Sequence, residues 1–127
     1  MNARTVTPLL VLAMLIAGNA IAQQNPARGQ YVYVLRLAPQ FQVETGWTDA
    51  QDAVAARHFE YLTKAAQAGK VILAGRTTEA LDKTFGLVIF EADSEAAARE
   101  FMLADPAVAA QLMTATLHPY SVALQRK

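Results

Sequence analysis

Two short runs, Lys70-Val71-Ile72-Leu73-Ala74-Gly75 and Phe85-Gly86-Leu87-Val88-Ile89-Phe90, constrain this chain more than any other feature. Both are bounded by turn residues and rich in β-branched or aromatic side chains, so they read as strands, and Arg76 to Thr84 leaves room only for a turn between them. Such strands lie side by side and antiparallel. Both are apolar on each face. Helices in a chain this short cover one side of a sheet, so the other side needs a partner, most simply the same sheet of a second copy. A homodimer is therefore expected from patterning alone.

The flanking segments complete the pattern. Tyr31-Val32-Tyr33-Val34-Leu35-Arg36-Leu37 reads as a first strand stopped by Pro39, and Ala38 to Trp47 as a loop. Thr48 with Gln51 three residues on forms a capping box, which opens a helix running to Gly69, a residue suited to the left-handed cap. Glu60 and Lys64 make one pair on its solvent side. Ser94 caps a second helix over Glu95 to Leu103. Asp105-Pro106 joins a favoured N-cap to a favoured first helical residue and starts a short third helix near Ala107 to Leu112. Thr114 to Leu124 forms the last strand, and Pro119 confines it to a sheet edge. Strand, helix, strand, strand, helix, strand with right-handed crossovers gives an α+β ferredoxin-like sandwich, four antiparallel strands with helices on one face.

At the other end, Arg4 is followed by the apolar run Leu9 to Ala17 and by Ala20-Ile21-Ala22, the layout of a secretory signal cleaved near Ala22. Pro8 and Gly18-Asn19 limit the run to about half the ~20 residues that span a bilayer. Residues 1–22 are thus expected to be a signal peptide, 23–30 a flexible lead-in and 31–127 one domain, periplasmic or secreted. Position 23 is Gln and the chain has no Cys, which excludes a lipid-anchored amino terminus, disulfides, thiolate nucleophiles and thiolate metal sites. Without Arg4 the balance is ten basic residues (11 − 1) against eleven acidic. No basic stripe remains to attract nucleic acid, and no membrane contact is expected after cleavage.

The candidate site lies on the first helix. At about 100° per residue, Val54, His58, Tyr61, Leu62 and Ala65 share one side, and Arg57, Glu60, Lys64 and Gln67 the other. His58 therefore faces inward among apolar neighbours. A buried imidazole left without partners costs about 1–3 kcal/mol per group, so another segment must supply an acceptor, and Asp105 is the best candidate. The plainer alternatives stay open. His58 could bond a backbone carbonyl in the core, Asp105 could only cap its helix, and Tyr61 could be core rather than pocket wall. Arg76 could meet an anionic ligand or be an ordinary solvated turn residue, and His118 reads as an edge-strand histidine without a companion.

In order and spacing, the chain resembles the YCII (YciI-like) family of the dimeric α/β-barrel superfamily. The resemblance rests on Tyr31-Val32-Tyr33-Val34-Leu35, Arg57-His58-Phe59-Glu60-Tyr61-Leu62, Ala68 to Gly75, Phe90-Glu91-Ala92-Asp93-Ser94 and Ala104-Asp105-Pro106. It implies an active site made of the helical histidine and the aspartate before proline, here His58 and Asp105. It also implies chemistry of the lyase or isomerase kind on muconate-like ring-cleavage products. Two positions depart from the pattern: Arg76 stands where relatives often carry Pro, and Ala107 where they often carry an aromatic residue, which points to a pocket altered in shape and charge. Two functions follow. One is cofactor-independent acid–base catalysis by His58, with Asp105 fixing its tautomer, on a small and perhaps anionic molecule. The other is a non-catalytic homodimer that binds a ligand or serves as a scaffold. A metal or haem role for His58 is weaker, because no second ligand stands at a recognisable spacing.

Overall fold

The structure is a computed structural model and describes residues 28–127. The expected signal peptide, and residues 23–27 of the expected lead-in, lie outside the described residues. Seven main elements follow in order: β1 (Gly29–Leu37), α1 (Asp49–Gln67), β2 (Val71–Arg76), β3 (Gly86–Ala92), α2 (Glu95–Ala104), α3 (Pro106–Ala109) and β4 (Met113–Tyr120). The strands form one antiparallel sheet in the order β2-β3-β1-β4. This is the ferredoxin-like arrangement that the pattern implies, with β2 and β4 at the edges.

The local signals act as their chemistry requires. The Thr48 hydroxyl accepts from the Ala50 amide, and Gln51 Oε1 accepts from the Thr48 amide at 2.9 Å, closing the capping box that starts α1. Gly69, at φ 79°, ends that helix in the left-handed conformation. The stripe on α1 faces the sheet: Leu62 is buried, Val54, His58, Tyr61 and Ala65 are partly so, and Arg57, Glu60, Lys64 and Gln67 are exposed. Leu62 packs with Tyr33, Leu35, Val71, Val88, Phe90 and Met102. Burying a leucine of this kind contributes about 2 kcal/mol.

Several boundaries differ from expectation. β1 already includes Gly29 and Gln30, because the pairing with β3 runs on through Gly29↔Ala92. The loop after β1 holds two single 3-10 turns, Pro39–Phe41 and Glu44–Gly46. The third helix is one turn, Pro106–Ala109, rather than reaching Leu112, and Gln111 at φ 59° turns the chain out of it. β4 stops at Tyr120 instead of Leu124, and its pairing with β1 ends at Gln30↔Tyr120. Residues 121–127 leave the ladder as a tail, and the Val122 amide donates to Gln30 Oε1 at 2.8 Å.

That tail runs over the sheet face away from the helices. With Ile72, Leu73 and Ile89 it encloses a cleft of about 580 Å³. Leu73 and Leu87 remain exposed on this face and Leu124 is 96 % exposed, while Val32 and Ile89 are buried. The second face of the sheet is thus apolar and only partly covered by the chain itself.

Candidate active site

Asp105 organises the site. It sits between α2 and α3, as the C-cap of one and the N-cap of the other, and is fully buried. Three donors converge on it. The Ala107 amide donates to Oδ1 at 3.0 Å, the His58 Nδ1–H donates to Oδ1 at 2.6 Å, and the Tyr33 hydroxyl donates to Oδ2 at 2.7 Å. Helix cap and histidine partner, weighed as alternatives for this residue, are one arrangement. A buried carboxylate is tolerated only when its oxygens are satisfied, and here both are.

The contact sets the state of the imidazole. Because a carboxylate oxygen accepts and does not donate, Nδ1 carries the hydrogen, and in neutral His58 the lone pair belongs to Nε2. Nε2 has no hydrogen-bond partner among the described residues, and no side-chain nitrogen or oxygen there is both sealed from solvent and unpartnered. It follows that Nε2 reaches solvent, in keeping with a side chain that retains 16 % of its exposure. One face of His58 is held and the other is available.

Tyr33 is the site residue that sequence reasoning did not find. It lies in the middle of β1, fully buried, across from Val88 on one side and Leu117 on the other. Alternation along β1 places it on the helix side. That its hydroxyl meets a carboxylate 72 positions away depends on where α2 ends. Burial, reinforced by the adjacent Asp105 charge, pushes its phenol far above the ordinary tyrosine range, so it stays a donor.

Tyr61 is close by but committed elsewhere. Its hydroxyl donates to the Phe101 carbonyl at 2.8 Å and its ring stacks on Phe101 at 5.0 Å. Burial first and the Asp105 charge second push its phenol up to about 12. Tyr61 therefore braces α1 against α2 and supplies the site with a wall. Arg76, at the end of β2, is exposed, and its side chain makes no ion pair or hydrogen bond with the described residues. His118 is exposed on β4 opposite Val32, on the sheet face away from His58. Among the described residues no three His, Asp or Glu side chains converge as a metal-binding set. A second concavity, about 410 Å³, lies apart from the His58 site, between the turn after β1 and the turn after β2, lined by Gln42, Glu44, Glu79, Leu81 and Asp82.

The fold is that of a small α+β domain, an antiparallel sheet with helices on one face. The model of the YCII-related domain matches residues 30–117, and the chain belongs to that family. No curated protein sequence matches the chain. Among solved structures it is similar to 5-chloro-2-hydroxyhydroquinone dehydrochlorinase from Burkholderia phenoliruptrix AC1100, determined in complex with 2,5-dihydroxybenzoquinone. The likeness has a TM-score of 0.56 at 20% identity and covers 72% of this chain and 93% of that one. At that identity it is a likeness of fold.

Proposed function

We propose that this chain is an exported, homodimeric YCII-related enzyme whose His58–Asp105 pair carries out cofactor-independent acid–base chemistry of the lyase or isomerase kind on a small organic molecule. One observation carries the reading: His58 Nδ1 is anchored on a buried carboxylate at 2.6 Å while Nε2 is left open. Nε2 takes a proton from a carbon beside a carbonyl, and the electron pair of that C–H bond moves into a new double bond. Asp105 stabilises the imidazolium that forms. The pair is completed when the imidazolium returns the proton, either to another carbon of the same molecule or to a departing group. The first course is an isomerisation and the second an elimination. Loss of hydrogen chloride, the reaction named for the structural neighbour, is an elimination of this type.

Two further parts of the proposal rest on patterning. The apolar run and small residues of positions 9–22 support export, and among the described residues no helix is long and apolar enough to cross a membrane. The partly covered sheet face with Leu73, Leu87 and Leu124 supports a dimer formed face to face, which would also limit solvent access around the sheet.

The test is an NMR pH titration of the two histidines, with His58→Gln to assign the signals. In Asp105→Asn the His58 ring signals and their dependence on pH are expected to change, because the anion that holds Nδ1–H has been removed. A His58 curve that does not respond to Asp105→Asn would leave a core histidine beside a helix cap. The non-catalytic ligand-binding or scaffold reading would then stand.

A further inference from the structure

From the sheet register we infer that Arg76 is an anion anchor for the His58 site and that the molecule bound there is a small organic acid. The inference rests on the acid–base reading of His58 and specifies its ligand. Paired residues of an antiparallel ladder share a face. Arg76 pairs with Gly86, which pairs with Leu35, and Leu35 is a core residue under the helices. A Cβ placed on Gly86 would lie 3.5 Å from Leu35 Cβ, which puts that position on the same side. The Arg76 side chain thus leaves the sheet on the side that carries His58. So does Ala74, which pairs with Val88 in the row of Tyr33.

Helix cover fails at this corner. Val88 is 1 % exposed, yet its neighbour Ala74 in the same row is exposed, as is Arg76 in the next. Gly86, between Arg76 and Leu35, has no conformational reason to be glycine: its φ is not positive, and a Cβ there would make only ordinary contacts of 3.4 to 3.7 Å. What the missing side chain provides is room. The result is a shelf floored by Ala74 and Gly86, backed by Leu35 and rimmed by a guanidinium that nothing among the described residues neutralises. Glu79 and Asp82 of the following turn line the separate concavity with Gln42 and Glu44.

The dimensions suit a small ring or short chain. Two strand spacings of ~4.8 Å and two residues of ~3.4 Å separate the Arg76 and Tyr33 positions, about 12 Å in all. An arginine side chain spans about half of that, and a single six-membered ring bearing one carboxylate or acidic hydroxyl fills most of the remainder. Tyr33, Val88 and Leu35 are sealed along that line, so the ring lies on the uncovered Ala74–Gly86 corner, with its charged end on the Arg76 fork and its other end facing α1, the helix that carries His58.

The probe is benzoate, with benzamide as its uncharged isostere, titrated into the protein while the His58 ring and Arg76 Nε–H signals are followed by NMR. Benzoate is expected to move both sets of signals along one binding curve. Arg76→Gln should weaken it about tenfold, the loss of one charge-assisted contact. Gly86→Val should block it by filling the floor, and benzamide should leave both signals in place. Equal binding of the two probes, benzoate binding unaffected by Arg76→Gln, or no response of His58 to benzoate at all overturns the inference. The same samples carry the His58 titration in Asp105→Asn. If that coupling is present while Arg76→Gln is silent, the anion anchor alone is wrong. If the coupling is absent, the acid–base reading beneath it has failed.

Discussion

Replacing Tyr33 by Phe removes one oxygen from the core and nothing else, and its effect on stability should change with pH in a way that reports a buried hydroxyl that keeps its proton. In the native protein the hydroxyl donates at 2.7 Å to a fully buried carboxylate, a bond of the charged kind worth about 1.5–3 kcal/mol. Tyr33→Phe leaves Oδ2 without that donor in a fully buried site, so a loss of about 2 kcal/mol is expected at pH 8. For a domain of this size that is about 10 °C in Tm. The sign of the pH dependence follows from the raised phenol. The unfolded chain releases the tyrosine proton above about pH 10 while the native state keeps it, so wild-type stability from this residue is complete below pH 10 and falls by about 1.4 kcal/mol per pH unit above it. Tyr33→Phe has no such proton. The gap between the two proteins should therefore shrink to about 0.6 kcal/mol at pH 11, with the contribution of Tyr61 cancelling because both proteins have it. Urea unfolding followed by circular dichroism at pH 8, 10 and 11 measures this directly. A gap that stays constant to pH 11 would show that the native state does not hold the phenol proton, and one below about 0.5 kcal/mol at pH 8 would show that the hydroxyl is not held by an ionised Asp105.

Other substitutions test neighbouring claims. Asp105→Ala removes the acceptor of three donors at once and should cost about 3–5 kcal/mol in chemical denaturation, whereas Asp105→Asn, still able to cap α3, should cost about 1–2 kcal/mol. Gly46→Ala drives a Cβ into the Gln40 carbonyl oxygen, so the turn before α1 must move, and a loss of about 1–3 kcal/mol in thermal unfolding is expected. Gly69→Ala meets no atom but strains a φ of 79°, and about 1 kcal/mol should be lost in the same assay. Sedimentation of the purified domain at micromolar concentration should give a dimer, and Leu87→Glu on the exposed sheet face should convert it to a monomer; a wild-type monomer would contradict the proposed face-to-face pairing.

What could be read from the sequence follows from the range over which each signal acts. The α1 cap, the left-handed Gly69 and the inward stripe through His58 are decided within a few residues, and all three are as the local chemistry requires. The edge position of β4 was legible because Pro119 cannot donate to a ladder on both sides. The ends of elements were less legible. β4 stops at Tyr120, and the Val122 amide turns to the Gln30 side chain instead of continuing the ladder, a contact with another segment that Ser121 to Leu124 do not announce. Tyr33 shows the same limit at the site. Its place in the alternating strand marks it as core, and nothing near it in sequence announces a carboxylate at the end of α2. Tyr61 could be placed beside the site by its helical spacing, but whether its hydroxyl would meet a ligand or a backbone oxygen depended on the position of Phe101.

The double duty of Asp105 bears on why the site is built this way. A carboxylate that only oriented His58 would have to be desolvated for that purpose alone, and a carboxylate that only capped α3 would have no need of burial. Here the Ala107 amide and the Tyr33 hydroxyl hold the anion in place independently of the histidine. His58 then docks on a charge whose position does not depend on its own protonation. Such an arrangement lets the imidazole gain and lose a proton at Nε2 without the partner following it, which is the property a proton-transferring pair needs and a structural pair does not. It also makes the two tyrosines unequal. Tyr33 touches the carboxylate and should alter the His58 titration when its hydroxyl is removed, whereas Tyr61, bonded to the Phe101 carbonyl, should alter stability alone. Comparing Tyr33→Phe with Tyr61→Phe in the histidine titration separates a held anion from general crowding around it. Equal displacements in the two variants would favour crowding.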